Sequence, residues 1–255
     1  MLHPVLVKDG RMPDRSILVV QHEDECPPAW FGQWLTAAGA DLDVRRPYSG
    51  DPLPSDLSGH DAMLVLGGHM GANDDAQYGW LTHVKELFRD AADNAVPAFG
   101  ICLGHQLAAV ALGGSVVVNP RGQQLGLTAL GWLADADLDP LVHAAGTAQR
   151  GVQWNNDVVD RLPEGAVPLA RTGNGELQAA RFAPTVWGVQ LHPEADEHVV
   201  GPWADNDRAL YPEGVVDAAV QAIADAHHEL EAAWRPLAEA FATLGNKALD
   251  DVTRA

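Results

Sequence analysis

A single cysteine lies between two glycines in the segment PAFGICLGHQ, residues 97–106, directly after a short apolar run. A cysteine attacks a carbonyl carbon as the thiolate, a form that a neighbouring imidazole or a helix N-terminus favours. Gly100 and Gly104 allow a tight turn from strand to helix, which would place the sulfur of Cys102 at the positive end of the helix. Taken alone, the segment fits a buried packing thiol better than a nucleophile, so the rest of the sequence must decide.

A candidate base occurs in the segment WGVQLHPE, residues 187–194. His192 and Glu194 are separated by one proline at the end of a β-type run, and side chains at i and i+2 of an extended chain point the same way. Glu194 can therefore accept the Nδ1 proton of His192, which fixes its tautomer and leaves Nε2 for the sulfur. Most of the eleven histidines must lack such a role, but His192 has a carboxylate partner and follows an apolar strand.

An acyl-transfer site also needs donors for the developing oxyanion. The backbone N–H of Leu103, directly after the cysteine, is placed for this. A second donor could come from the segment LVLGGHMG, residues 64–71, in which Gly68 offers an N–H that no side chain obstructs. A plain tight turn is the alternative explanation of Gly67 and Gly68.

These three segments together resemble the class I (triad-type) glutamine amidotransferases. The segment GICLGHQLAAVALGG is similar to the glutaminase domains of GMP synthetase and carbamoyl-phosphate synthetase, GVQLHPE to their His-Pro-Glu segment, and LVLGGHMG to their oxyanion loop. The resemblance covers roughly residues 16–195, and the combination in this order is highly specific. It implies an α/β fold with an open, mostly parallel sheet flanked by helices, of the flavodoxin-like kind.

The resemblance also implies a role for each matching residue. Cys102 would be the nucleophile, His192 the base and Glu194 the residue that orients it, with Gly68 and Leu103 as the oxyanion hole. The implied substrate-binding residues are Gly67, Gln106, Trp154, Asn155 and Asn156. The half-reaction needs no metal and no organic cofactor.

One segment departs from the family pattern. Members usually carry Ser-His-Gly-Asp, Trp-His-Gly-Asp or Asn-His-Gly where this chain has QWNND, residues 153–157. Asparagine tolerates left-handed backbone better than most residues, so Asn156 is expected to keep the geometry that glycine provides. The missing histidine leaves two substrates open, free glutamine and another γ-glutamyl amide.

Three functions follow from this pattern. The first is a stand-alone glutamine amidotransferase that releases ammonia to a separate synthase subunit, because no synthetase domain or P-loop follows the core. The second is a γ-glutamyl hydrolase that acts alone on γ-glutamyl amines or peptides. The third is a catalytically silent regulatory or binding subunit, which the intact triad disfavours. An α/β-hydrolase is a weaker interpretation, because that fold orders its triad Ser, acid, then His.

The elements that would position these residues alternate between strand and helix, which predicts a parallel sheet covered on both faces. The predicted strands of the first half are 16–21, 41–45, 62–66 and 96–101, and the predicted helices are 28–38, 79–94 and 103–112. Five short strands are predicted after them, at 115–118, 127–132, 167–172, 177–182 and 186–190.

The C-terminal segment 213–249 is rich in Ala and Glu and carries an apolar stripe broken once by a histidine. The stripe consists of Val216, Val220, Ile223, His227, Leu230, Trp234, Leu237, Phe241 and Leu244. Pro236 is expected to kink this segment or divide it into two helices. The favoured interpretation is a catalytic domain of residues 1–205 with a helical extension, 206–255, packed on it; a homodimer or partner surface is the alternative.

Composition limits the classes of function. The chain has 255 residues, 47% of them apolar, and a net charge of −19, which disfavours binding to nucleic acid. Two cysteines cannot form a disulfide framework. The N-terminus has no apolar core of signal-peptide length, and no run approaches the roughly 20 apolar residues of a membrane span. We therefore expect a cytoplasmic protein without membrane contacts.

Overall fold

The computed structural model describes residues 15–244 and contains one central eight-stranded sheet. In spatial order its strands are β2 (Ala40–Arg45), β1 (Arg15–Val20), β3 (Ala62–Val65), β4 (Ala98–Ile101), β12 (Val186–Val189), β11 (Leu177–Ala183), β10 (Val167–Arg171) and β7 (Gly131–Trp132). The first five strands are parallel to one another, and the last three add antiparallel pairs at one edge. The open, mostly parallel sheet predicted from the sequence is confirmed.

The central strands are short and apolar because both of their faces are covered. All residues of β3 (AMLV), β4 (AFGI) and β12 (VWGV) are buried, as expected for parallel strands between two helical layers. The flanking helices are α1 (Ala29–Ala37), α2 (Trp80–Asp93), α3 (Leu103–Ala111), α4 (Glu197–Asp207), α5 (Val215–Asp225) and α6 (His227–Thr243).

Two apolar cores lie on opposite faces of the sheet. Ile17 and Val19 of β1 belong to the core that includes α1 and α6, whereas Leu18 and Val20 belong to the core that includes α2 and α3. This alternation is the period-two pattern of a strand that is buried on both sides.

Outside the central sheet, two small antiparallel pairs form from β5 (Ser115–Val118) with β9 (Asp157–Arg161), and from β6 (Gln124–Ala129) with β8 (Arg150–Asn155). The single strand predicted over 127–132 is wrong in this respect: the chain leaves β6 at Leu130 and enters β7 in a different sheet. β8 (RGVQWN) and β9 (DVVDR) were not predicted, because polar residues leave each of them without an apolar run or a clear alternation.

Helix α4 was also not predicted from the sequence, although its N-terminus carries a clear signal. The side chain of Asp196 accepts hydrogen bonds from the backbone N–H groups of His198 and Val199 at 2.9 and 3.0 Å, as an N-cap does. Pro202 lies inside the helix and interrupts the sequence pattern there.

The division of the C-terminal segment lies at Ala226, between α5 and α6, and not at Pro236 as predicted. Pro236 lies within α6. A proline removes only one backbone donor. The neighbouring Trp234 and Leu237 are both buried, and their packing keeps the helix continuous at Pro236.

The α6 part of the apolar stripe packs in the core on one face of the sheet, whereas α5 packs on α4 and β6. Phe241 contacts Phe99 of β4 with ring centroids 5.7 Å apart, and the indole of Trp234 donates to the carbonyl of Arg150 at 3.2 Å. These side chains are therefore not free to form a dimer seam. The boundary after residue 205 stays a prediction, and the predicted parts of the two domains at residues 1–14 and 245–255 lie outside the described residues.

Between residues 15 and 244 no helix is both long and apolar enough to cross a bilayer.

We expect Phe241→Ala to lower the free energy of unfolding by about 3–5 kcal/mol, because it opens a cavity between α6 and the sheet. Leu210→Ala is the matched control: Leu210 is 73% exposed, and its truncation should change stability by less than about 0.5 kcal/mol. Urea denaturation checks both. Equal losses in the two variants would contradict the packing described for α6.

Candidate active site

Three neighbouring strands of the sheet end at the same edge, and the predicted chemical groups follow those ends. β4 lies between β3 and β12, and all three are parallel. Cys102 directly follows β4, His192 follows β12 by three residues, and Gly67 and Gly68 follow β3. The strand order therefore brings together segments that are far apart in the sequence.

Cys102 lies on a strained turn between β4 and α3. Its backbone has φ 49° and ψ −103°, a conformation that residues other than glycine rarely adopt and that costs about 1–3 kcal/mol. The backbone N–H of Cys102 donates to the carbonyl of Val189 in β12 at 2.9 Å, which fixes the turn against the neighbouring strand. The predicted strand-to-helix corner is present.

The glycines on either side of Cys102 allow helix and sheet to approach closely. A Cβ atom at Gly104 would lie 2.2 Å from the carbonyl oxygen of Val65, and one at Gly100 would lie 2.4 Å from the backbone of Gly104. Any larger residue would push α3 away from the sheet and move the sulfur with it.

His192 and Glu194 form a buried hydrogen-bonded pair. The distance from Nδ1 of His192 to Oε1 of Glu194 is 2.7 Å, and the two side chains are 3% and 1% exposed. The backbone N–H of His192 donates to the carbonyl of Val152 in β8 at 2.8 Å, so β8 helps to hold the segment. Glu194 lies where it can fix the tautomer that leaves Nε2 free.

The charges around His192 favour its protonated form. Burial works to lower the pKa of His192, but the charges of Glu194 and Cys102 and the hydrogen bonds to both outweigh it and raise the pKa to about 10. The ring nitrogen that faces the sulfur is therefore held as a proton donor near neutral pH.

Gly67 marks the point where these groups meet. A Cβ atom built there would lie 3.0 Å from Cε1 of His192, 3.6 Å from Cβ of Cys102 and 3.7 Å from Sγ of Cys26. The imidazole and the cysteine thus flank a single small volume next to Gly67, which only a residue without a side chain leaves open.

The two residues predicted to supply oxyanion donors, Gly68 and Leu103, are neighbours in space. A Cβ atom at Gly68 would lie 3.1 Å from Cδ2 of Leu103, so the loop after β3 rests against the first turn of α3. Within the described part of the chain, the backbone N–H groups of Gly68 and Leu103 donate to no protein acceptor. Two such donors beside a nucleophile can stabilise a developing oxyanion.

A pocket of about 200 Å³ opens onto the sulfur. It is lined by Glu23, Glu25, Cys26, Gly68, His69, Cys102, Gln123, Trp154, Asn156, His192, Trp203, Asn206 and Asp207. The predicted residues Trp154 and Asn156 belong to this lining. The φ angle of Asn156 is not positive, so the expected left-handed backbone at this position is wrong. Its carbonyl instead accepts a hydrogen bond from Asn119 at 2.8 Å.

Two predicted substrate contacts lie behind the pocket surface. The amide of Gln106 donates to the carbonyl of Asp157 at 3.0 Å and to Gln190 at 3.2 Å, and Gln190 in turn lies 3.6 Å from the sulfur of Cys102. Asn155 is buried and donates to Gln124 and to Asp157. The side chains of Gln106 and Asn155 therefore connect neighbouring elements and do not line the pocket.

Sequence reasoning missed several residues in and behind the lining. Gln190 could have been found, because it lies two residues before His192 and so on the same side of the extended segment. Trp203 and Asp207 lie on the unpredicted helix α4. Sequence reasoning assigned no role to Cys26, which lines the pocket. Burial, and after it the charge of Glu23, raises the pKa of the Cys26 thiol well above its ordinary value.

One group of side chains in the described chain has metal-ligating atoms within 4.8 Å of one another: His227, His228 and Glu231. It lies on α6, and none of the three residues lines the pocket. Arg235 already donates to Glu231 at 2.7 Å.

Comparison with known proteins agrees with this geometry. Residues 33–203 match the family described as glutamine amidotransferase class-I. The chain is 34% identical over 161 residues to one subunit of the glutamine-hydrolyzing GMP synthase of Saccharolobus solfataricus, covering 61% of this chain and 77% of the relative. It is 30% identical over 205 residues to a gamma-glutamyl-L-1-hydroxyisopropylamide hydrolase of a Pseudomonas species, covering 74% and 67%.

Solved structures show the same fold. A glutamine amidotransferase from Methylobacillus flagellatus superposes with a TM-score of 0.77 at 26% identity, covering 89% of this chain and 94% of the other. One from Thermotoga maritima gives a TM-score of 0.79 at 21% identity, covering 91% and 100%. The chain that carries the Cys102, His192 and Glu194 cluster therefore belongs to the class I glutamine amidotransferase family.

Proposed function

We propose that the protein hydrolyses the side-chain amide of glutamine or of a related γ-glutamyl amide through a Cys102–His192–Glu194 triad. The observation that carries the proposal is the meeting of Cys102 with the imidazole of His192 beside Gly67, with the imidazole bonded to a buried carboxylate. A nucleophile, a base and an orienting acid in this arrangement are what acyl transfer needs.

The sulfur of Cys102 attacks the amide carbon, and the carbonyl oxygen takes the negative charge next to the N–H groups of Gly68 and Leu103. As the tetrahedral intermediate collapses, His192 donates its Nε2 proton to the departing nitrogen, and ammonia or an amine leaves. Water then attacks the γ-glutamyl thioester while His192 accepts its proton, and glutamate and the free cysteine are restored.

The backbone N–H groups of Gly68 and Leu103 favour activity without a partner protein. In residues 15–244 neither N–H group donates to a protein acceptor, so both are available to the carbonyl oxygen of a bound amide. A relative named as a γ-glutamyl amide hydrolase supports the hydrolase reaction itself.

The second candidate is a protein that donates ammonia to a synthase. The likeness to one component of a glutamine-hydrolyzing GMP synthase favours it, and a separate synthase subunit would then receive the ammonia. A silent regulatory role is disfavoured because all three triad positions carry their reactive groups. Since the reaction depends on a reduced thiol, we place the protein in the cytoplasm.

Cys102→Ala is expected to lower the release of ammonia or amine by at least about 10³-fold while the protein stays folded, because no other group can form the thioester. Cys26→Ala is the comparison: its thiol donates to Glu23 at 3.1 Å and should not replace the nucleophile, so this variant should retain hydrolysis. Coupled ammonia assays and circular dichroism measure both properties. Wild-type rates in Cys102→Ala would remove this residue from the mechanism.

Glu194→Gln is expected to lower kcat by about 10²–10⁴-fold, because the amide cannot stabilise the imidazolium. The pKa of His192 should fall below about 10, since burial is then opposed only by the charge and hydrogen bond of Cys102. The control is Glu197→Gln, which removes the partly exposed pairs with His227 at 3.2 Å and with His198 at 3.7 Å. NMR titration of the His192 ring protons reports the pKa.

The raised pKa of His192 makes the free energy of unfolding depend on pH. The pair with Glu194 stabilises the folded protein fully below about pH 6.5, and this stabilisation is lost as the pH rises through about 10. The difference in unfolding free energy between wild type and Glu194→Gln should shrink over that interval. A difference that grows with pH would contradict the charge assignment.

A further inference from the structure

The catalytic pocket has an outer wall that the triad chemistry does not use. This outer wall consists of Glu25, Trp154, Trp203 and Asp207. The rings of Trp154 and Trp203 have centroids 6.2 Å apart, and the ring of Trp203 lies 4.7 Å from that of His192. Two indole rings therefore continue from the imidazole towards the two carboxylates.

Both rings are fixed in orientation by hydrogen bonds. The indole N–H of Trp203 donates to the carbonyl of Glu25 at 2.9 Å, and the indole N–H of Trp154 donates to Oδ2 of Asp207 at 2.8 Å. The faces of such rings attract cations, most strongly when the rings are held in place before the ligand arrives.

Asp207 is held in the wall by neutral donors only. Its Oδ2 also accepts from the amide of Gln123 at 2.8 Å, and Gln123 accepts from the hydroxyl of Tyr211 at 2.6 Å. No ion pair to Asp207 occurs among the residues that the structure describes, because the adjacent Arg208 pairs with Asp205 and with Asp217. The charge of this carboxylate is thus uncompensated.

The remaining lining does not neutralise the pocket. Of its other carboxylates, Glu23 pairs with His69 and accepts from Cys26, and Glu25 accepts only from the neutral amide of Asn206 at 3.3 Å. No lysine or arginine belongs to the lining. A pocket of this charge, in a protein with a net charge of −19, favours a cationic ligand over an anionic one.

The position of the outer wall indicates which half of an amide substrate would carry the cationic group, namely the amine half. His192 must reach the departing nitrogen, so the amine half of an amide leaves the reacting carbon on the side of the imidazole. Trp203 packs on that imidazole, and Trp154 and Asp207 follow it. The oxyanion donors Gly68 and Leu103 serve the carbonyl oxygen instead.

We propose that the outer wall binds an ammonium group on the amine half of the substrate, so that the protein prefers γ-glutamyl amides of diamines or polyamines. Asp207 supplies the charge, and the two indole faces enclose the alkyl chain and its ammonium. The proposal rests on the proposed hydrolase function and names its substrate class.

The test compares two amides of equal length, the γ-glutamyl amide of 1,4-diaminobutane and the neutral γ-glutamyl n-pentylamide. We expect kcat/KM to be at least about tenfold higher for the cationic amide at low ionic strength, and the preference to fall as salt is added. Asp207→Asn should reduce the ratio of the two values to about threefold or less, and Glu25→Gln should reduce it in part. Glu197→Gln is the matched control on the same helix: Glu197 does not line the pocket, so this variant should leave the ratio unchanged.

Two outcomes would overturn the proposal. One is a wild-type enzyme without preference for the cationic amide. The other is an equal loss on both amides in Asp207→Asn that disappears for the corresponding glutaric acid amides, which lack the α-ammonium; Asp207 would then bind the glutamyl half.

A binding measurement separates this proposal from the hydrolase function. Free 1,4-diaminobutane should bind the wild-type protein at least about fivefold more tightly than Asp207→Asn in calorimetry, whether or not any amide is hydrolysed. Absence of hydrolysis together with this difference would contradict the proposed function alone. Equal diamine affinities of the two proteins would contradict the outer wall as a cation site.

Discussion

The site depends on the parallel pairing of β4 with β12. This pairing places Ile101 opposite Val189, so the residues that follow the two strands emerge at one edge of the sheet. The backbone bond from Cys102 to Val189 continues the ladder by one step and holds the turn against β12. Because the two strands are distant in sequence, sulfur and imidazole meet only after the central sheet has formed.

The structure concentrates its unfavourable features at this edge and stabilises them through packing elsewhere. Cys102 has a strained backbone, and Glu194 is almost completely buried as a carboxylate. Both are unfavourable for an isolated turn or an isolated charge. The pair with His192 offsets the burial of the Glu194 carboxylate. The two apolar cores on either side of the sheet offset the backbone strain at Cys102.

Sequence reasoning was most successful where a residue's neighbours along the chain determine its environment. The pairing of His192 with Glu194 follows from i, i+2 spacing, and the turn at Cys102 from its glycines. The reasoning failed where tertiary packing decides: Pro236 stays inside a helix because Trp234 and Leu237 are buried around it. The outer wall of the pocket could not be predicted, because Asp207 reaches it through contacts with β8 that no local pattern records.

The central claim is that Cys102 and His192 act together on a γ-glutamyl amide, and the thioester is its most direct consequence. Acid quenching during turnover, followed by peptide mass spectrometry, would detect that intermediate. The account predicts a mass increase of one γ-glutamyl group on the peptide that contains Cys102. Turnover without any adduct on this peptide, or with the adduct on the peptide that contains Cys26, would contradict it.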